Sequence, residues 1–148
     1  MRHLYLKAIV SGMLVSIAPA IIVTALSSWY PATESENLVL IREILSAENY
    51  GFMQYFMLLS IVFVSPILEE VIFRGILWDV MKKFFTEKNV FILNSLLFAV
   101  VHIDFLHVLG LIPASFLFGW FRYKTESIKA PLLCHMGNNL VACLLTIY

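Results

Sequence analysis

The stretch from Tyr55 to Trp78 is apolar enough to lie in lipid, yet its centre reads Ser65-Pro-Ile-Leu-Glu-Glu-Val-Ile-Phe-Arg-Gly75. Two adjacent carboxylates and a guanidinium are costly at membrane depth. Such groups face protein or a water-filled cavity, pair with one another, and mark a functional site. Any fold for this chain must therefore supply polar partners to the middle of an apolar helix.

Composition sets the solvent. Of 148 residues 61% are hydrophobic and 14% charged, and the mean hydropathy is +0.88, which excludes an ordinary soluble domain. Ten basic residues balance ten acidic ones, so nothing points to a nucleic acid, and the partner implied is the lipid bilayer. Cys134 and Cys143 share one apolar segment without CxxC or zinc-finger spacing, and read as small packing residues.

Arg2 and Lys7 precede an apolar run from Ala8 to Leu26, about the 20 residues that a helix needs to cross a hydrocarbon core. The run is too long for a typical signal-peptide core and ends in Ser27-Ser28-Trp29-Tyr30-Pro31, which resembles an interfacial belt, so it reads as a retained transmembrane helix. Pro19 inside it should kink it. Apolar and charged residues alternate from Asn37 to Ala47, as in a short interfacial helix. From Tyr50 to about Phe85 a pattern longer than one crossing carries the Glu-Glu motif, with Pro66 as its expected kink. After a polar turn at Thr86 to Asn89 come apolar segments at Val90–Ile103 and Val108–Tyr123, then a charged loop with Arg122, Lys124, Glu126 and Lys129, and a last helix from Ala130 to Tyr148.

Loop charges set the orientation. Arg2, Lys7, Lys82, Lys83, Lys88, Arg122, Lys124 and Lys129 fall on one side, and the acidic connector 31–48 with Asp104 on the other. The positive-inside rule then gives about five crossings with the N-terminus cytoplasmic. The expected fold is all-α: a single membrane domain, 1–148, forming a polytopic helix bundle with a polar cavity between its helices. The motif-bearing core is 50–148, preceded by a transmembrane helix and connector at 1–49.

Few other polar residues lie at depth: Asn94, His102, His135, Asn138 and Asn139 stand out. At a helical rise of about 1.5 Å per residue, Glu69 lies about 21 Å from Lys83, His102 about 21 Å from Lys88, His135 about 9 Å from Lys129 and Asn139 about 15 Å from it. One shared cavity can hold them. Glu70 and Arg74 are spaced i,i+4 and can pair, while Glu69 points about 100° away from Glu70. Glu70 with Arg74 then braces the site or forms a purely structural pair, and Glu69 is left to take a proton. His135 with Asn139, and Phe98 with His102, repeat the spacing. Asn94 lies one turn before Phe98 and either orients the site or packs helices together.

Glu69-Glu70-x-x-x-Arg74, Phe98-x-x-x-His102 and His135-x-x-x-Asn139, in this order on separate apolar segments, resemble the CAAX protease and bacteriocin-processing family, also called the Abi family, of intramembrane proteases. The resemblance spans Ser65 to Asn139. It implies an endopeptidase of the bacterial cytoplasmic membrane acting on a peptide or membrane-protein substrate. In that reading Glu69 with His102 activates water, Glu70 and Arg74 support them, and His135 and Asn139 stabilise the oxyanion. The chemistry stands independently: desolvation strengthens a carboxylate as a base, and polar donors are worth more in a dry cavity.

Metal stays open. Glu69, His102 and His135 are candidate ligands for a divalent ion such as zinc, with a water in the fourth position, but HExxH is absent. Larger family members carry more helices around the same motifs, so this chain either needs a second copy, as a homo-oligomer, or a partner to close its cavity, or is minimal. The alternative function is non-catalytic, a membrane scaffold or bacteriocin-immunity protein of the same fold. A small proton-coupled transporter is a third reading, without the inverted repeat or paired broken helices that would favour it.

Overall fold

The computed structural model describes residues 2–26, 43–44, 51–102 and 105–147. The expected interfacial helix at 37–47 falls, apart from 43–44, outside the described residues, as does Asp104. The described residues form helices and turns, with no strand among them. The helices are α1 (Arg2–Val15), α2 (Ile17–Leu26), α3 (Phe52–Met81), α4 (Glu87–Val100), α5 (Phe105–Thr125) and α6 (Lys129–Ile147).

Each boundary has a local cause. Pro19 cannot donate to the Val15 carbonyl, and the break between α1 and α2 comes one turn before it, at Ser16, whose hydroxyl bonds the Met13 carbonyl at 2.6 Å. The sequence expectation of a proline-bent first helix is thus met as two helices. Thr86 caps α4, its hydroxyl accepting from the Asn89 amide, so the polar residues Glu87 to Asn89 open a helix where a turn was expected. α5 ends where Glu126 takes a φ of 52°, a left-handed stop. That end is later than the sequence implied: Arg122, expected in a charged loop, is inside α5 and 8% exposed.

Among the described residues one helix, Phe52–Met81, is long and apolar enough to cross a membrane. Its buried line is Gln54, Val62, Pro66, Glu70, Arg74 and Trp78, residues spaced by multiples of four. On a regular α-helix such a row drifts by about 40° every four residues, or about 240° from Gln54 to Trp78. α3 has two π-helical turns, Ser60–Val64 and Val71–Leu77. An extra residue in each widened turn sets the phase back by about 100°, so two of them nearly cancel the drift and keep the line facing the bundle. Leu59, Phe63, Leu68, Ile72 and Ile76 stand exposed on the rest of the helix, an apolar surface suited to lipid.

The remaining helices build the wall that this line meets. α1 lies against α6, and the crossing is close enough that a Cβ at Gly12 would sit 1.9 Å from the Cys134 carbonyl oxygen, and one at Gly137 2.7 Å from that of Ile9. Only glycine lets the backbones meet so closely. Ala8, Ala114, Ala130 and Cys134 fill the core beside Phe98, Phe118 and Phe121. Both cysteines are buried free thiols, as their spacing implied.

Candidate active site

The motif splits across the surface of α3. Glu70 and Arg74 are 0% exposed and pair through Arg74 Nη1 and Glu70 Oε1 at 3.3 Å. Glu69, one residue earlier, keeps 27% of its side chain exposed. Its Oε1 accepts from the Ser65 hydroxyl one turn back.

Helix α6 brings His135 to both carboxylates. Its Nδ1 is 3.0 Å from Glu70 Oε1, and its Nε2 is 3.8 Å from Glu69 Oε2. The ring stacks on Phe118 with centroids 4.6 Å apart and meets Phe98 edge-on at 5.6 Å, so its orientation is set on two sides. With Nδ1 turned to Glu70, Nε2 is the ring nitrogen that faces Glu69.

The Arg74 guanidinium is held from several directions. It lies 4.1 Å over the Phe98 ring, and its Nη2 donates to the Ser115 carbonyl at 3.1 Å and to the Ser115 hydroxyl at 3.4 Å. Ser115 Oγ in turn donates to the Ser95 carbonyl. A buried charge without such partners is strongly destabilising. Arg74 Nε and Glu70 Oε2 are buried without a partner among the described residues.

His102 and Asn139 join differently. His102 packs on Phe98 with ring centroids 5.2 Å apart, and its Nδ1 is 2.9 Å from the Phe98 carbonyl. It is thus linked to His135 and Arg74 through one phenyl ring. Asn139 Nδ2 donates to the Ile61 carbonyl at 2.9 Å, and its Oδ1 accepts from Asn138 at 3.1 Å. Asn94 Nδ2 reaches the Phe73 carbonyl at 2.8 Å. Glu69, Glu70, Arg74 and His135 therefore meet directly, His102 adjoins them through Phe98, and Asn139 ties α6 to the turn before the motif.

Among the described residues no three histidine, cysteine or carboxylate side chains are arranged to hold a metal ion. The candidate ligands Glu69, His102 and His135 are thus not grouped as a metal-ligand set among the described residues.

Sequence reasoning missed Ser115 and the inward reach of Arg122. A lone serine in an apolar helix carries no periodic signal, and Arg122 sits among charges that resemble a loop.

Residues 51–141, which contain all of these side chains, match the model of the Rce1-like family, described as type II CAAX prenyl endopeptidase Rce1-like. The chain belongs to this family. Its membership and its apolar Phe52–Met81 helix mark it as a membrane protein. It is also 30% identical over 109 residues to a Bacillus subtilis (strain 168) protein described as "Putative membrane peptidase YdiL". That match covers 72% of this chain and 41% of the relative, so the chain spans about two fifths of that protein's length. No solved structure matches the chain.

Proposed function

We propose that this protein is an intramembrane endopeptidase that hydrolyses a peptide or protein substrate with water activated by Glu69. The observation that carries the reading is the pair Glu69 Oε2 and His135 Nε2, 3.8 Å apart. That gap exceeds a direct hydrogen bond and suits one shared water or substrate oxygen. It lies beside a partly exposed carboxylate, with Glu70 and Arg74 sealed behind it.

In this mechanism Glu69, oriented by Ser65, removes a proton from water as the water oxygen bonds to the scissile carbonyl carbon. The carbonyl oxygen becomes an oxyanion, and His135, with a hydrogen on both ring nitrogens, donates Nδ1–H to Glu70 and Nε2–H to the oxyanion. The carbon–nitrogen bond then breaks and Glu69 returns its proton to the leaving amine. Arg74 holds Glu70 in place. His102 shares in water activation, and Asn139 supports the oxyanion side once substrate is bound. The chain lies across a bacterial cytoplasmic membrane with its N-terminus inside, alone or as a homo-oligomer.

The test uses the purified protein in nanodiscs with internally quenched apolar peptides. Glu69→Gln keeps the shape and removes the base, so cleavage falls by about 10²- to 10⁴-fold. Cleavage by the Gln variant at the wild-type rate overturns the mechanism.

A further inference from the structure

A π-helical turn leaves backbone carbonyls without their regular donors, and in α3 those carbonyls have been taken up by other helices. In the first widened turn the Ser65 amide bonds Ser60 O, bypassing Ile61 O, which Asn139 occupies instead. In the second the Trp78 amide bonds Gly75 O and Phe73 O, bypassing Arg74 O. Arg122 Nε from α5 donates to Arg74 O at 2.7 Å, and Asn94 from α4 donates to Phe73 O. Arg122 is held in turn by Asp79 at 3.2 Å and lies 5.4 Å from the Trp78 ring.

We infer that Arg122 and Asn94 are positioning residues of the active site. They hold the carbonyls of Arg74 and Phe73, fix the widened turn, and so set the direction from which Arg74 grips Glu70 and Glu70 grips His135. Regularising this turn would rotate the helix that follows by about 100° relative to Glu70. Trp78 would leave the buried line, and the backbone from which Arg74 reaches Ser115 would shift. Neither residue touches the reacting atoms. The inference rests on the proposed role of Glu69 and His135 for its kinetic consequence, but its geometric part stands without it.

Arg122 allows the donor to be separated from the charge. Glutamine places its amide nitrogen at the same distance along the side chain as arginine Nε, so Arg122→Gln keeps a donor for Arg74 O and loses the ion pair with Asp79. Arg122→Lys keeps the charge and has a methylene at that position. In nanodiscs, Arg122→Lys lowers kcat by about 10- to 100-fold with KM little changed, the size of effect expected from a small misplacement of a reacting group. Arg122→Gln keeps most of the wild-type kcat, and Asn94→Leu behaves like the lysine variant. The ¹⁵N resonances of the His135 imidazole report the Glu70 contact independently of cleavage: they move in Arg122→Lys and stay in Arg122→Gln. Lysine matching wild type in both readouts, or glutamine as impaired as lysine, overturns the inference. A wild-type protein that cleaves nothing, yet shows the same pattern of resonances, removes the proteolytic reading and leaves the positioning role standing.

Discussion

The first widened turn of α3, Ser60–Val64, runs directly into Ser65-Pro66, whereas the second, Val71–Leu77, contains no proline and a single glycine. Pro66 has no amide hydrogen, so some carbonyl in the turn before it must lose its donor whatever the surroundings. Asn139 then satisfies the carbonyl left over. Every residue of the second turn can donate, and a regular α-helix is open to it. Its widening is secured from outside, by Asn94 and Arg122, and it brings Trp78 onto the same buried line as Glu70 and Arg74. One irregularity is local in origin and the other tertiary, although both serve the same carboxylate pair lying between them.

Cutting α3 out of the bundle should break the comparison most completely. A peptide of residues 52–81 in detergent micelles should keep the irregularity before Pro66 and lose the one at Val71–Leu77, read from carbonyl shifts and amide exchange. A second turn still widened in the isolated peptide would make it as local as the first.

Next in size is Arg74→Leu, which leaves Glu70 buried beside His135 without its cation. Removing one member of a buried pair costs about 3–5 kcal/mol, and melting in nanodiscs should fall accordingly. A melting temperature equal to wild type would mean that the pair does not hold the second turn in the bundle.

Asn139→Leu should be milder, at most about 1–3 kcal/mol for one unsatisfied, part-buried carbonyl. Pro66→Ala in that background should recover part of the loss, because a donating residue at 66 lets the turn close and Ser65 bond Ile61 O. Additive effects in the double variant would separate Pro66 from the Asn139 contact. Smallest is the exposed clasp at the end of α3, where Lys82 Nζ and Glu87 Oε1 are 2.6 Å apart. That hydrogen bond to Glu87 raises the Lys82 pKa, so its contribution is complete at neutral pH and fades only as pH rises through the raised value. Surface pairs add little, and Lys82→Ala should leave both melting and cleavage unchanged.

Much of the site was legible in the residues. The i,i+4 spacing of Glu70 and Arg74 gave their pair, and the offset of about 100° separated Glu69 from it. His135 was singled out by its i,i+4 motif with Asn139. The roles of Asn94 and Arg122 were not legible, because a backbone carbonyl as partner leaves no mark in a sequence. Asn94 stood equally for orienting and for packing, and Arg122 looked like one of several charges at a helix end. Ser115 gave no signal at all.

The sequence by itself determined that the chain is helical, that it meets lipid, that its first helix breaks near Pro19, and that the turn before Pro66 is irregular. Those follow from apolar composition and from the missing amide hydrogens of two prolines, which act wherever they stand. Only the tertiary structure decided the second widened turn and the joining of His135 to Glu70. Those depend on which carbonyls and side chains α4, α5 and α6 present to α3, and contacts between distant segments are set by packing.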